Sequence, residues 1–311
     1  MPAGPAGSSR PGSHRGHLSE LVADLRRVLE RGELVVLYQP IVDLATLRIV
    51  GAEALLRWQH PTRGLLSPDA FIPAAEKSGQ IVPIGAWTLV EACRRGQAWR
   101  AGEHLGERAG PGGEAGPGAG AGPLSGPLPG IAVNVSGCQL RHAGFVAEVR
   151  AALESSGIDP RALLLELTET VLLKHQAVGA TLERVKELGV GLAVDDFGTG
   201  HSSFDYLARF PLDALKVDKS YVDLLDAGPI GEGGVRRGAA LMRGIVLLGH
   251  SLGLRTIAEG VASVEQLRLL RELGCQLGQG RLFDGPLDAA TLHSRLRTRP
   301  GPFPDLEDGP A

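Results

Sequence analysis

Eight short apolar runs recur along this chain, and most are followed by a stretch whose apolar residues return at helical spacing. The runs are VVLYQPIV, RIVGAEALL, GIAVNVS, ALLLELTE, VGLAVDDF, DALKVD, LRTIAEG and CQLGQG. Pro68 to Lys77, Gly144 to Ser156 and Val264 to Leu273 are examples of the helical stretches. Runs this short and this apolar read as strands buried on both faces. Eight of them with intervening helices predict an α/β fold, a modified TIM (βα)8 barrel. The first two runs are too close together for a crossover helix. They predict an antiparallel hairpin, so the first strand should run against the rest.

The runs also mark out the domain. Residues 1–17 are rich in Gly, Pro, Ser and Arg and predict a disordered tail. Leu21, Val22, Leu25, Val28 and Leu29 predict a helix from about Leu18 to Arg31. Residues 101–130 are dominated by Gly, Ala and Pro. They read as an insertion within one domain spanning 18–297, because the strand and helix pattern continues on both sides. A shorter Gly-rich stretch covers Gly228 to Gly238, and 298–311 read as a second disordered tail.

Hydrophobic residues make up 43% of the chain, enough for one large core, and the formal net charge is -3. That balance argues against a duplex nucleic-acid partner, which would call for a basic surface. No apolar run is long enough to span a bilayer, and the first residues lack the apolar core of a signal peptide. Cys93, Cys138 and Cys275 form no CxxC pair. A cytoplasmic protein with no membrane partner is the expectation.

The polar residues within the runs are not scattered. Glu53 lies in the second run and Asn134 near the end of the third. Glu166 and Glu169 close the fourth, Asp195 and Asp196 the fifth, Lys216 and Asp218 the sixth, Glu259 the seventh and Gln279 the eighth. Barrel active sites form where the C-terminal ends of the strands converge, so this pattern aims several carboxylates at one space. Crowded carboxylates repel unless a cation relieves them, and oxygen-only ligands favour Mg²⁺ or Mn²⁺. Adjacent Asp195 and Asp196 suit two ions sharing one bridging carboxylate, a recurring device in phosphodiester hydrolysis. Taken singly, each residue has a plainer reading. An aspartate at a strand end or Asn134 commonly caps a helix, and Lys216 alone reads as a surface ion-pair partner.

At this point the chain resembles a known family. GAEALLRW at residues 51–58 is similar to the EAL signature of cyclic di-GMP phosphodiesterases. YQPIVDL, HPTRGLLSPDAFIPAAEKSGQI, VNVSGCQL, LELTET, DDFGTGHSS, LKVDKSYV, IAEGV and QGRLFDGPL resemble the family's other blocks, in its order. The resemblance implies hydrolysis of cyclic di-GMP to linear pGpG with two Mg²⁺ or Mn²⁺ ions. It implies metal ligation by Glu53, Asn134, Glu166 and Asp195, with Asp196 and Glu259 around a second ion. Lys216, Glu53 and Glu169 form the implied catalytic set. Lys216 would orient water, and Glu169 would hold the DDFGTG loop, which in the family is tied to a homodimer. Gln39, Leu55, Arg57, Asp218 and Gln279 are the implied substrate-binding or supporting contacts. A receptor of the same fold that binds the dinucleotide without cutting it, and signals through a partner protein, is the alternative.

The sequence departs from the family pattern at Leu47, where a turn glycine is usual, and at His201, Phe204, Arg281 and Asp284-Gly285. None of these removes an implied ligand or the lysine.

Overall fold

The computed structural model describes residues 20–102, 130–174, 178–198, 204–226, 237–298 and 303. All eight apolar runs form strands. They are β1 (Leu34–Asp43), β2 (Arg48–His60), β4 (Ile131–Asn134), β5 (Leu163–Thr168), β6 (Gly191–Phe197), β7 (Ala214–Val217), β8 (Arg255–Ala258) and β9 (Leu277–Gly278). A short strand that the sequence reading did not anticipate, β3 (Gly64–Leu66), folds back on the end of β2.

Strands β2 and β4 to β9 pair in parallel around a ring. β1 closes that ring, antiparallel to both β2 and β9, as the short first connection requires. The turn after β1 places Leu47 at φ 54° with 2% exposure, a left-handed conformation that explains why a glycine is usual there.

Strand alternation sorts the side chains into layers. One set faces outward and packs under the helices, for example Val133, Leu165, Leu192, Val194 and Leu215. The other set fills the barrel interior. Its apolar layer is Ile41, Ala132, Leu164, Ala193, Ala214, Ile257 and Leu277, with alanines giving room to the larger neighbours. Two residues further along each parallel strand stand Asn134, Glu166, Asp195, Lys216, Glu259 and Gln279. On reversed β1 the same step runs backward, from Ile41 to Gln39, which pairs with Glu53 of β2. The polar layer therefore rests directly on the apolar floor.

The expected helix from Leu18 to Arg31 ends early, and its first two residues lie outside the described ones. Residues 20–25 are helical and 26–32 form turns. There Arg27 and Val28 bond to carbonyls three residues back, and Gly32 takes φ 63°. Leu21, Leu25 and Val28 still bury their apolar stripe, against Trp58, Phe71 and Ile84 in a satellite core.

The expected tail 1–17, His201, most of the 101–130 insertion and most of the 228–238 stretch lie outside the described residues. At the margins, Ala101 ends a helix capped by left-handed Gly102, and Arg237 begins another, Arg237–Ser251. Within the expected 298–311 tail, Thr298 closes the helix Ala289–Thr298. Phe303 is packed, only 6% exposed, with its ring 5.6 Å from Phe283 and its N–H donating to the Leu47 carbonyl.

Candidate active site

The polar layer gathers at the C-terminal mouth of the barrel around one side chain. Lys216 is fully buried, and its Nζ lies 2.8 Å from Glu259, 2.9 Å from Glu166, 3.1 Å from Asp195 and 3.3 Å from Glu53. A surface ion-pair role for Lys216 is thereby ruled out. Burial alone would lower its pKa, but Asp195, Glu166, Glu259 and Glu53 together raise it well above the usual lysine value.

The carboxylates differ according to their donors. Burial opposes ionisation of Glu53, yet Lys216 and the amides of Gln279 and Asn134 bring its pKa below the usual value. Asn134 Nδ2 donates to Glu53 at 2.6 Å and Gln279 Nε2 at 2.7 Å. Glu166 has less help. Burial and the neighbouring Glu53 charge push it well above the usual range, with Lys216 opposing. Its Oε1 is buried without a hydrogen-bond partner. Glu259 is pushed up to about 7 by burial, with Lys216 opposing and Asp195 and Glu53 reinforcing. Asp196 is also raised, by burial and then by Asp195.

Oxygens of Glu53, Glu166 and Asp195 lie within 4.8 Å of one another, as do oxygens of Asp195, Asp196 and Glu259. The two groups share Asp195. Four of these five acids lie against the single Lys216 ammonium, so the layer is rich in acid for one cation. The orphaned Glu166 oxygen and an all-oxygen donor set fit divalent cations. Asn134 lies against Glu53 and Glu166 and would need to turn its amide to offer its carbonyl oxygen.

The other expected residues spread around this centre. Leu55 and Arg57 follow Glu53 on the same face of β2, toward the mouth, and both are half-buried. Arg57 Nη1 donates to the Leu56 carbonyl at 2.8 Å. Gln39 is half-buried opposite Glu53. Gln279 and Asp218 stand at their strand ends, beside the acids. Gln279 is 4% exposed, and its amide nitrogen is taken up by Glu53 and Glu259, so it supports the acids from within the layer. Asp218 caps the helix Lys219–Asp223 by accepting from the Ser220 N–H at 3.0 Å. Glu169, 3% exposed, heads the helix Glu169–Lys174 and accepts from the Gly198 N–H at 3.2 Å. Among the family departures, Asp284 is engaged by Arg295 at 3.2 Å, while Arg281 is exposed.

Fold and site together define a class: a closed α/β barrel, reversed at its first strand, with a cation-ready acidic mouth built around a buried lysine. The chain belongs to the EAL domain family, which it matches over residues 22–110 and 120–286. It is 40% identical over 276 residues to the bifunctional diguanylate cyclase/cyclic di-GMP phosphodiesterase MucR of Pseudomonas aeruginosa, covering 88% of this chain and 36% of that protein. It is 39% identical over 280 residues to the cyclic di-GMP phosphodiesterase NbdA of the same organism, covering 89% and 32%. The chain thus spans about a third of the length of these relatives. A solved structure of the PaMucR phosphodiesterase in complex with c-di-GMP superposes with a TM-score of 0.72 at 40% identity, covering 88% of this chain and 99% of that one.

Proposed function

We propose that this chain is a metal-dependent phosphodiesterase that hydrolyses cyclic di-GMP to linear pGpG and so lowers the level of that second messenger. The observation that carries the reading is the pair of acid groups joined through Asp195, with Lys216 buried among them. The phosphodiesterase names of the two relatives support the same choice of substrate.

Glu53, Asn134, Glu166 and Asp195 would hold one divalent cation, Mg²⁺ or Mn²⁺, and Asp195, Asp196 and Glu259 a second. Such ions supply a nucleophile at neutral pH and offset charge on phosphate oxygens. The chain's own groups do the rest. Arg57 grips a phosphate with its planar fork, Leu55 lines the groove, and Gln39 contacts the substrate from β1. With the carboxylates' charge met by cations, Lys216 is left to orient the attacking water and to meet charge that develops on phosphate. Gln279 and Asp218 act by fixing the acids and the helix beside them. Glu169 acts through the backbone of Gly198.

Assembly as a homodimer belongs to the same reading, on the family's link between the DDFGTG loop and dimerisation, and analytical ultracentrifugation tests it. No helix among the described residues is long and apolar enough to cross a membrane. A cytoplasmic site of action is part of the proposal.

The deciding experiment follows nucleotide products over time with Mn²⁺ and with excess chelator. Metal-dependent appearance of pGpG is the expected result. Tight binding of cyclic di-GMP without any product would favour the receptor reading, and neither binding nor product would overturn both.

A further inference from the structure

Neighbouring side chains of a strand point to opposite faces, yet Asp195 and Asp196 contribute to one acid group. Strand β6 achieves this with a bulge. Val194 pairs with Leu215 and Phe197 with Val217, so three steps of β6 span two steps of β7. Within the bulge Asp196 takes φ 54°, a conformation that residues with a side chain seldom adopt. Such backbone persists only where its surroundings hold it.

The grip lies two residues past Asp196, on the peptide groups of Gly198. Its N–H donates to Glu169 Oε2 at 3.2 Å, and its carbonyl accepts from the Tyr221 hydroxyl at 2.9 Å. Glu169 heads the helix after β5 and Tyr221 lies in the helix after β7, so the connections that follow the two strands flanking β6 each supply one arm. The Tyr221 ring also lies against the glycine. A Cβ on Gly198 would meet ring atom Cε2 at 2.5 Å, and Gly198 itself has φ 95°. Only glycine suits that position.

We propose that Tyr221 is a positioning residue, the second arm of a clamp that holds the β6 bulge and so keeps Asp196 beside Asp195. The inference rests on the metal reading above, and it adds that the Tyr221 hydroxyl sets the affinity of the Asp195–Asp196 side of the site.

The test uses the full chain carrying Tyr221→Phe, which keeps the ring and removes the hydroxyl. In metal-free protein, hydrogen exchange at the Gly198 amide should quicken about fivefold, the equivalent of roughly 1 kcal/mol for one lost hydrogen bond. Mn²⁺ titration followed by electron paramagnetic resonance, without substrate, should show weakening of similar size. At limiting Mn²⁺ kcat should fall while KM stays put, and excess Mn²⁺ should restore it; a merely structural loss would not be rescued this way. Tyr221→Ala, which also removes the ring, should exceed Tyr221→Phe on every readout. Wild-type exchange at Gly198, or wild-type Mn²⁺ affinity, in Tyr221→Phe would overturn the clamp. If the wild-type chain bound no Mn²⁺, the metal reading itself would fall, and the exchange measurement would still decide whether Tyr221 holds the bulge.

Discussion

The two oxygens of Glu166 have different surroundings: Oε2 lies 2.9 Å from Lys216 Nζ, while Oε1 is buried with no hydrogen-bond partner. A buried carboxylate oxygen left unpaired is costly, and a cation removes that cost along with the repulsion among its neighbours. Mn²⁺ should therefore raise the melting temperature. At a hundred times its dissociation constant the gain is about 2.7 kcal/mol, roughly 5–10 °C for a domain of this size. Glu166→Gln should lose most of that shift, and differential scanning calorimetry of both proteins with and without Mn²⁺ measures it. An equal shift in the variant would exclude Glu166 as a ligand.

Lys216 should have two separable effects. Its burial among four carboxylates means that Lys216→Ala leaves them uncompensated, costing about 3–5 kcal/mol in chelator. Mn²⁺ should recover much of that stability. With the metal restored, kcat should remain lower by roughly 10²-fold, the scale of losing one charge-stabilising donor. Cyclic di-GMP should still bind within about tenfold of wild type, because an interaction made in the transition state affects turnover more than binding. Lys216→Arg should rescue poorly, since a planar fork does not fit where a compact ammonium sits. Unchanged kcat in the alanine variant would remove Lys216 from the chemistry.

Leu25 offers a stability control away from the acids. It is 1% exposed in the satellite core with Trp58 and Phe71. Leu25→Ala should cost about 2–5 kcal/mol by creating a cavity. Well below its lowered transition temperature, its turnover should match wild type. A chemical denaturation curve paired with a rate assay checks both halves.

Residues 103–128 should tolerate replacement. Their Gly, Ala and Pro composition offers little apolar surface to bury, and they leave from capped Gly102 and return just before β4. A short Gly-Ser linker in their place should leave melting temperature and turnover nearly unchanged. A large fall in either would show that the segment contributes to the fold.

Much of this molecule could be read from its residues because barrel strands advertise themselves. A strand buried on both faces must be apolar throughout, so Glu166 inside LLLELT or Lys216 inside ALKV stands out at once. The reversal of β1 was legible from the length of a connection. What escaped depended on distances between strands. Strand β3 is three residues long and pairs only with β2, so no run of its own announced it. Gln279 and Asp218 occupy the expected strand ends, but whether such a side chain meets substrate, a neighbouring acid or a helix N-terminus is decided by partners from elsewhere in the sequence. The bulge at Asp196 was hidden for the same reason, since it exists only in the register of β6 against β7.

The reversal of β1 also fixes where the polypeptide enters the ring. In a regular barrel the first strand starts at the face opposite the active site. Here β1 starts at the mouth, with Leu34 beside Trp58, and the turns just before it reach the same strand ends through Glu33, whose carboxylate accepts from Trp58 Nε1 at 2.9 Å. The chain ahead of β1 therefore packs on the mouth side, where Leu21, Leu25 and Val28 lie in one core with Trp58 of the ribbon that carries Gln39, Glu53 and Arg57.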